Sequence, residues 1–157
     1  MSARADALAD RILKGARALA KYAGGLNDKQ WATPTSDGRS VGVVVHHVAS
    51  VYPLEVDLAQ VLAAGKPIKA TWNDVHAMNA NHAKENAAVT KEAALALLKK
   101  NSSEAAERVR KMSNKQLDTA AACGLNANAP LTAQFFIEDH ALRHSFHHLA
   151  KIKQVTS

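Results

Sequence analysis

Alanine occupies 32 of the 157 positions of this chain, against three phenylalanines, two tyrosines and two tryptophans. Alanine loses the least free energy on entering a helix and gives a pleated sheet little side chain to pack. The balance therefore favours an all-α fold with close helix contacts and argues against sandwiches, barrels and α/β architectures. Seven glycines and four prolines leave few breakers, and an apolar fraction of 47% argues against disorder. The length suits one core, so a single domain over residues 1–157 is expected.

Other classes are excluded by what is missing. The longest apolar runs, such as Val43-Val44-Val45, fall far short of the roughly 18 residues of a membrane span. The N-terminus has no signal-peptide apolar region, so a soluble cytoplasmic protein is expected. One cysteine, Cys123, allows neither a disulfide framework nor a Cys-only metal site and reads as an inert small residue. The formal charge of +6 is spread from Arg4 to Lys153, with nothing denser than Arg108-Val109-Arg110-Lys111 and no interleaved aromatics. It reads as solvation, and nucleic acid is not an expected partner. No fingerprint for a nucleotide or flavin cofactor occurs.

Hydrophobic spacing lays out the helices. Leu8, Ile12 and Leu19 predict a first helix over Ala3 to Ala23, stopped at Gly24-Gly25. Residues 26–39 read as a connection. Ser40 can cap a second helix with Val44, His47 or Val48, Val51, Leu54 or Glu55, Leu58 and Leu62 on its inner face. It ends near Gly65, with Pro53 producing at most a kink. A polar third helix spans about Asn73 to Ala88, and a fourth runs from the Thr90 cap to Met112. Residues 113–131 read as loop, and Thr132 opens a last helix to about Lys153. Four principal helices with one additional short helix make a four-helix bundle the natural packing solution.

Eight histidines are the unusual number, and four lie between His140 and His148. In the last helix Ile137, Ala141, His144, His148 and Ile152 keep the three-and-four spacing of one stripe. His144 and His148 thus sit one turn apart and can present two imidazoles to one metal ion. His47 similarly interrupts the apolar stripe of the second helix. It lies seven residues from Ser40, as the midpoint of His144 and His148 does from Lys153. Each is roughly 10 Å from its helix end, so antiparallel neighbours would bring all three to one level. Three imidazoles with open positions are a catalytic type of site. His140, also one turn from His144, and His147 compete for the same roles. His46 is expected to face away from the core.

The segments Arg39-Ser-Val-Gly-Val-Val-Val-His-His47-Val-Ala and His144-Ser-Phe-His-His148-Leu-Ala-Lys-Ile152 resemble the DinB/YfiT-like family of small bacterial four-helix metalloproteins. The resemblance covers nearly the full chain in length and helix order. It implies His47, His144 and His148 as ligands of a divalent ion such as zinc or nickel, and a homodimer. It also implies chemistry on a small-molecule substrate or a thiol, since related bundles include thiol-dependent S-transferases and maleylpyruvate isomerase.

The expected function is thus a metal-dependent hydrolase or thiol transferase in which the ion activates water or a thiol. The alternative is a non-enzymatic, stress-associated or dimerisation bundle with a structural or vestigial metal site. Glu138, Asp139 and His140 are the candidates for orienting the ligands. Asp74, His76, Asn79 and His82 could line the pocket mouth but read first as a solvated face, and Tyr52 and Trp72 as packing residues.

Overall fold

The computed structural model describes residues 2–157. Each long helix starts where a hydroxyl can satisfy free N–H groups. Ser2 caps α1 (Ala3–Gly24), Ser40 caps α3 (Val41–Ala63) and Thr90 caps α5 (Lys91–Arg110), each accepting from the N–H three residues on. The last helix, 133–156, is capped in the same way by Thr132. It comprises α7 (Ala133–Ile137), a π-helical turn over Glu138–Leu142, and α8 (Arg143–Thr156).

These four helices form the bundle. α1 packs on α5 and α8, and α3 packs on α5 and on the last helix from the other side. Leu8, Ile12 and Leu19 of α1 meet Val44, Val48 and Val56 of α3, Leu98 and Val109 of α5, and Phe136 and Ile152 of the last helix in one buried core. Small residues let the backbones approach: a Cβ on Gly15 would press into Ser145 and Phe146 of α8.

Pro53 sits inside α3 without ending it. A proline has no N–H, so the carbonyl of Ala49 loses its helical partner. Asn101 of α5 replaces it: its buried side-chain amide donates to Ala49 O at 2.9 Å. The helix runs on through Pro53 to Ala63, its freed carbonyl satisfied from a neighbouring helix.

Three pieces decorate the bundle, where one short helix was expected. A single turn, α2 (Asp28–Trp31), lies in the 26–39 connection and places the Trp31 indole so close over Gly42 that a Cβ there has no room. The polar helix α4 (Trp72–Glu85) has no buried residue and starts at a Thr71/Asp74 capping box. A third short helix, α6 (Asn114–Asp118), leads into a hairpin.

That hairpin corrects the loop expected over 113–131. β1 (Ala120–Cys123) pairs antiparallel with β2 (Ala129–Thr132), Ala120 opposite Thr132 and Cys123 opposite Ala129. Its Ala-Ala-Ala-Cys strand carries no alternation to read, so only main-chain pairing defines it. Ile68 anchors it from the α3–α4 connection, donating to Ala122 O at 2.9 Å and accepting from Gly124 N at 2.8 Å.

Candidate metal centre

α3 and α8 bring His47, His144 and His148 together. His144 Nε2 lies 3.2 Å from His47 Nε2 and 3.0 Å from His148 Nε2. One ring nitrogen from each of the three lies within 4.8 Å of the other two. Nitrogens bound to a common ion at about 2.0–2.1 Å stand about 3 to 3.4 Å apart, so these donors need little movement to share one. His140 and His147 stand outside this group: His140 stacks on Phe136 at 4.1 Å, and His147 meets His148 edge-on at 5.1 Å between ring centroids.

Burial holds the three imidazoles neutral. Desolvation pushes His47 and His148 down to about 3 and His144 well below its ordinary value, with the charges of neighbouring histidines acting in the same direction. Neutral imidazoles keep the lone pairs that a cation needs. The Nδ1 of His47 is buried without a hydrogen-bond partner. The donor set therefore fits a divalent ion by chemistry as well as by spacing.

Behind His144 stands Glu55, its Oε1 3.2 Å from His144 Nδ1. Glu55 follows His47 by eight residues and so shares its face of α3. It is 8% exposed, and burial raises its carboxyl to about 8. A carboxylate on the far nitrogen of a ligating histidine fixes the tautomer and ring orientation. The sequence placed Glu55 only as an alternative to Leu54 on an apolar stripe. The orienting residues expected there, Glu138, Asp139 and His140, are engaged elsewhere. Glu138 pairs with Arg11 at 2.8 Å, and Asp139 lies 3.7 Å from His140 Nε2.

The π-helical turn ends at Leu142, two residues before His144. Single π turns inside α-helices are frequent at functional sites, where they re-aim the residues that follow. Nothing in the residue pattern announced it.

A cavity of about 500 Å³ lies over the three histidines. Val51, Leu54, Leu58 and Phe136 supply its apolar wall, while α4 contributes Trp72, Val75, Met78 and Asn79. Trp72 is a pocket residue, 51% exposed, with its indole N–H on Leu125 O at 2.8 Å. Tyr52, by contrast, is fully buried with its hydroxyl on Ser145 Oγ. Of the other polar α4 residues, Asp74 caps its helix and His76 is exposed. His46, expected to face away, is half-buried against α4: its Nδ1 lies 2.8 Å from His82 Nε2, and the two rings stack.

A helical bundle with three neutral histidines at one level, a carboxyl behind one of them and a cavity in front defines a histidine-centred four-helix bundle class. The sequence model of the DinB superfamily matches residues 11–152, and the chain belongs to that superfamily. Two solved structures share the fold. YfiT from Bacillus subtilis, described as a probable metal-dependent hydrolase with an unusual four-helix bundle topology, superposes with a TM-score of 0.75 at 20% identity, over 98% of this chain and 87% of its own. The colibactin self-resistance protein ClbS, in complex with double-stranded DNA, gives a TM-score of 0.72 at 17% identity, over 94% of this chain and 92% of its own. No curated protein matches the sequence. Among the described residues, no helix is long and apolar enough to cross a membrane.

Proposed function

We propose that this chain is a metal-dependent enzyme, a hydrolase or thiol transferase acting on a small molecule, with zinc or nickel held by His47, His144 and His148. The observation that carries the reading is the convergence of three buried, neutral imidazoles at the floor of the cavity. A divalent ion bound there would lower the pKa of a water or thiol and polarise an electrophile. The chain's own groups hold and shield that chemistry. Glu55 Oε1 lies 3.2 Å from His144 Nδ1, which has no hydrogen-bond partner, so an ionised Glu55 turned toward it would accept that N–H and hold the ring with Nε2 toward the cavity. The apolar wall excludes water, and the open side leaves positions for a substrate. The description of YfiT as a metal-dependent hydrolase candidate agrees with this reading. A homodimer in the cytoplasm is the proposed state.

The DNA-bound neighbour raises a second reading. In this chain Arg4, Arg11, Arg39, Arg108 and Arg110 are each tied to a carboxylate, which leaves no continuous basic stripe built from them. The enclosed histidine cavity favours the small-molecule reading, which is the one proposed.

Metal analysis of protein purified without a histidine tag tests the reading, with His144→Ala beside it. Stoichiometric metal in the wild type and its loss in the variant are expected; equal metal in both overturns the ligand assignment. Chelation is expected to leave the helices intact, whereas unfolding on chelation would make the ion structural.

A further inference from the structure

We infer that the cavity receives a substrate through an oxyanion group, a carboxylate or a phosphoryl group, and that Arg39 is the residue that binds it. The inference builds on the metal-centre reading for the reaction, but the anion contact itself needs no ion.

Arg39 stands in the turn just before α3, and Asp37 holds it in place. Arg39 Nε donates to Asp37 Oδ1 at 3.1 Å and Nη2 to Asp37 Oδ2 at 2.7 Å. Asp37 Oδ1 also accepts from the Arg39 backbone N–H and from Thr35 Oγ1, each at 3.1 Å. Thr35 N donates to Arg39 O at 2.8 Å, closing the turn. The paired guanidinium holds the Asp37 carboxyl well below the usual carboxylate range, so this brace persists through the physiological pH range.

Two of the three guanidinium nitrogens are thus used, and the third is not. Nη1 is buried and has no hydrogen-bond partner, in a side chain only 16% exposed. Buried charged donors without partners are expensive and rare. Arg39 lines the same cavity as the three histidines, near enough for its charge to add to burial in keeping His47 and His148 neutral. A braced guanidinium at a cavity wall, with Nη1 enclosed and lacking a partner, can receive a planar or tetrahedral oxyanion when the side chains enclosing that nitrogen give way.

The surroundings have the same sign. Arg143 and Lys151 of α8 line this cavity, and neither has a carboxylate partner among the described residues. Of the acidic groups in the lining, Asp37 is paired with Arg39 and Glu55 is held protonated by burial, which leaves Asp139 alone against Arg143 and Lys151. The unmatched charge of the cavity is therefore positive before any ion enters, which favours anionic over neutral or cationic substrates.

Calorimetric titration of metal-free and zinc-loaded protein with succinate, inorganic phosphate and neutral succinamide tests this. Wild-type protein should bind succinate or phosphate with an affinity that falls as salt rises, and should ignore succinamide. Arg39→Gln should weaken anion binding by about tenfold or more. Asp37→Asn should weaken it as well, because the guanidinium loses its brace, while Lys29→Gln on α2 should change nothing. Circular dichroism and unchanged zinc affinity show that Arg39→Gln is folded with its histidines in place. Preference for succinate assigns a carboxylate, and preference for phosphate a phosphoryl group. Equal anion affinity in Arg39→Gln and wild type overturns the proposal. So does succinamide bound as tightly as succinate, or no anion binding by wild type in either form. Anion binding through Arg39 in a protein that takes up no metal would leave this proposal standing and remove the metal-centre reading alone.

Discussion

Replacing Glu55 by glutamine separates what its carboxyl does for the fold from what it does for an ion. Glu55 is 8% exposed, and burial raises its carboxyl from 4.5 to about 8. A carboxyl raised in this way favours the folded state fully below about pH 4.5 and loses that contribution as the pH climbs toward 8. Each pH unit in the interval removes about 1.36 kcal/mol, so ion-free wild type gives up about 3 kcal/mol between pH 4.5 and 7. Glutamine has nearly the same shape and no proton to lose. Ion-free Glu55→Gln should therefore match wild type near pH 4.5 and exceed its stability by about 3 kcal/mol at pH 7. Contributions of His47 and His148 are common to both proteins and cancel in the difference, while His144 touches Glu55 and titrates with it. Zinc should narrow the gap between the two proteins at pH 7, because a charged carboxylate beside His144 Nδ1 strengthens the ligand: the variant should bind zinc about 10–100-fold more weakly, worth about 1.4–2.7 kcal/mol. Urea denaturation from pH 4.5 to 8 in the presence of chelator, with a competitive zinc titration beside it, measures both quantities. Parallel stability profiles for the two proteins would refute the buried-carboxyl argument, and unchanged zinc affinity would refute its role behind His144.

Asn101→Leu should cost about 1–3 kcal/mol by leaving the Ala49 carbonyl buried and unpaired, and under about 1 kcal/mol in a Pro53→Ala background, where residue 53 regains its N–H. Chemical denaturation of the four proteins in this cycle checks it, and equal penalties in both backgrounds would sink it. Acid should act on the histidines in the opposite sense to Glu55. With His47 and His148 held at about 3 in the fold against an ordinary value of 6.5, their contribution is complete above pH 6.5 and lost as pH falls toward 3. Their imidazole proton resonances should stay at neutral-form positions at pH 5 in metal-free protein; titration with midpoints near 6.5 would contradict the burial argument.

The helices were legible because their signals are local. Ser40, Thr90 and Thr132 each serve the N–H three residues ahead, and apolar side chains at three-and-four spacing share a face whatever lies opposite. His47, His144 and His148 could be put at one level from helix ends alone, and the structure brings them within ligand reach of one another. The hairpin was invisible because Ala120–Cys123 pairs through its main chain. The π turn was equally silent, since no residue type demands it.

Sequence by itself determined the all-helical class, the helix starts and the histidine stripes, all of which follow from contacts within about one turn of chain. Tertiary structure alone decided which charged groups serve the site. Glu55 became the partner of His144, in place of Glu138 and Asp139, because α3 carries it behind the imidazole. Arg39 became a cavity residue because Asp37 occupies two of its nitrogens and the packed helices bury the third. A side chain's neighbours across the bundle set its charge state and free donors, and those neighbours are fixed by packing between segments far apart in the chain.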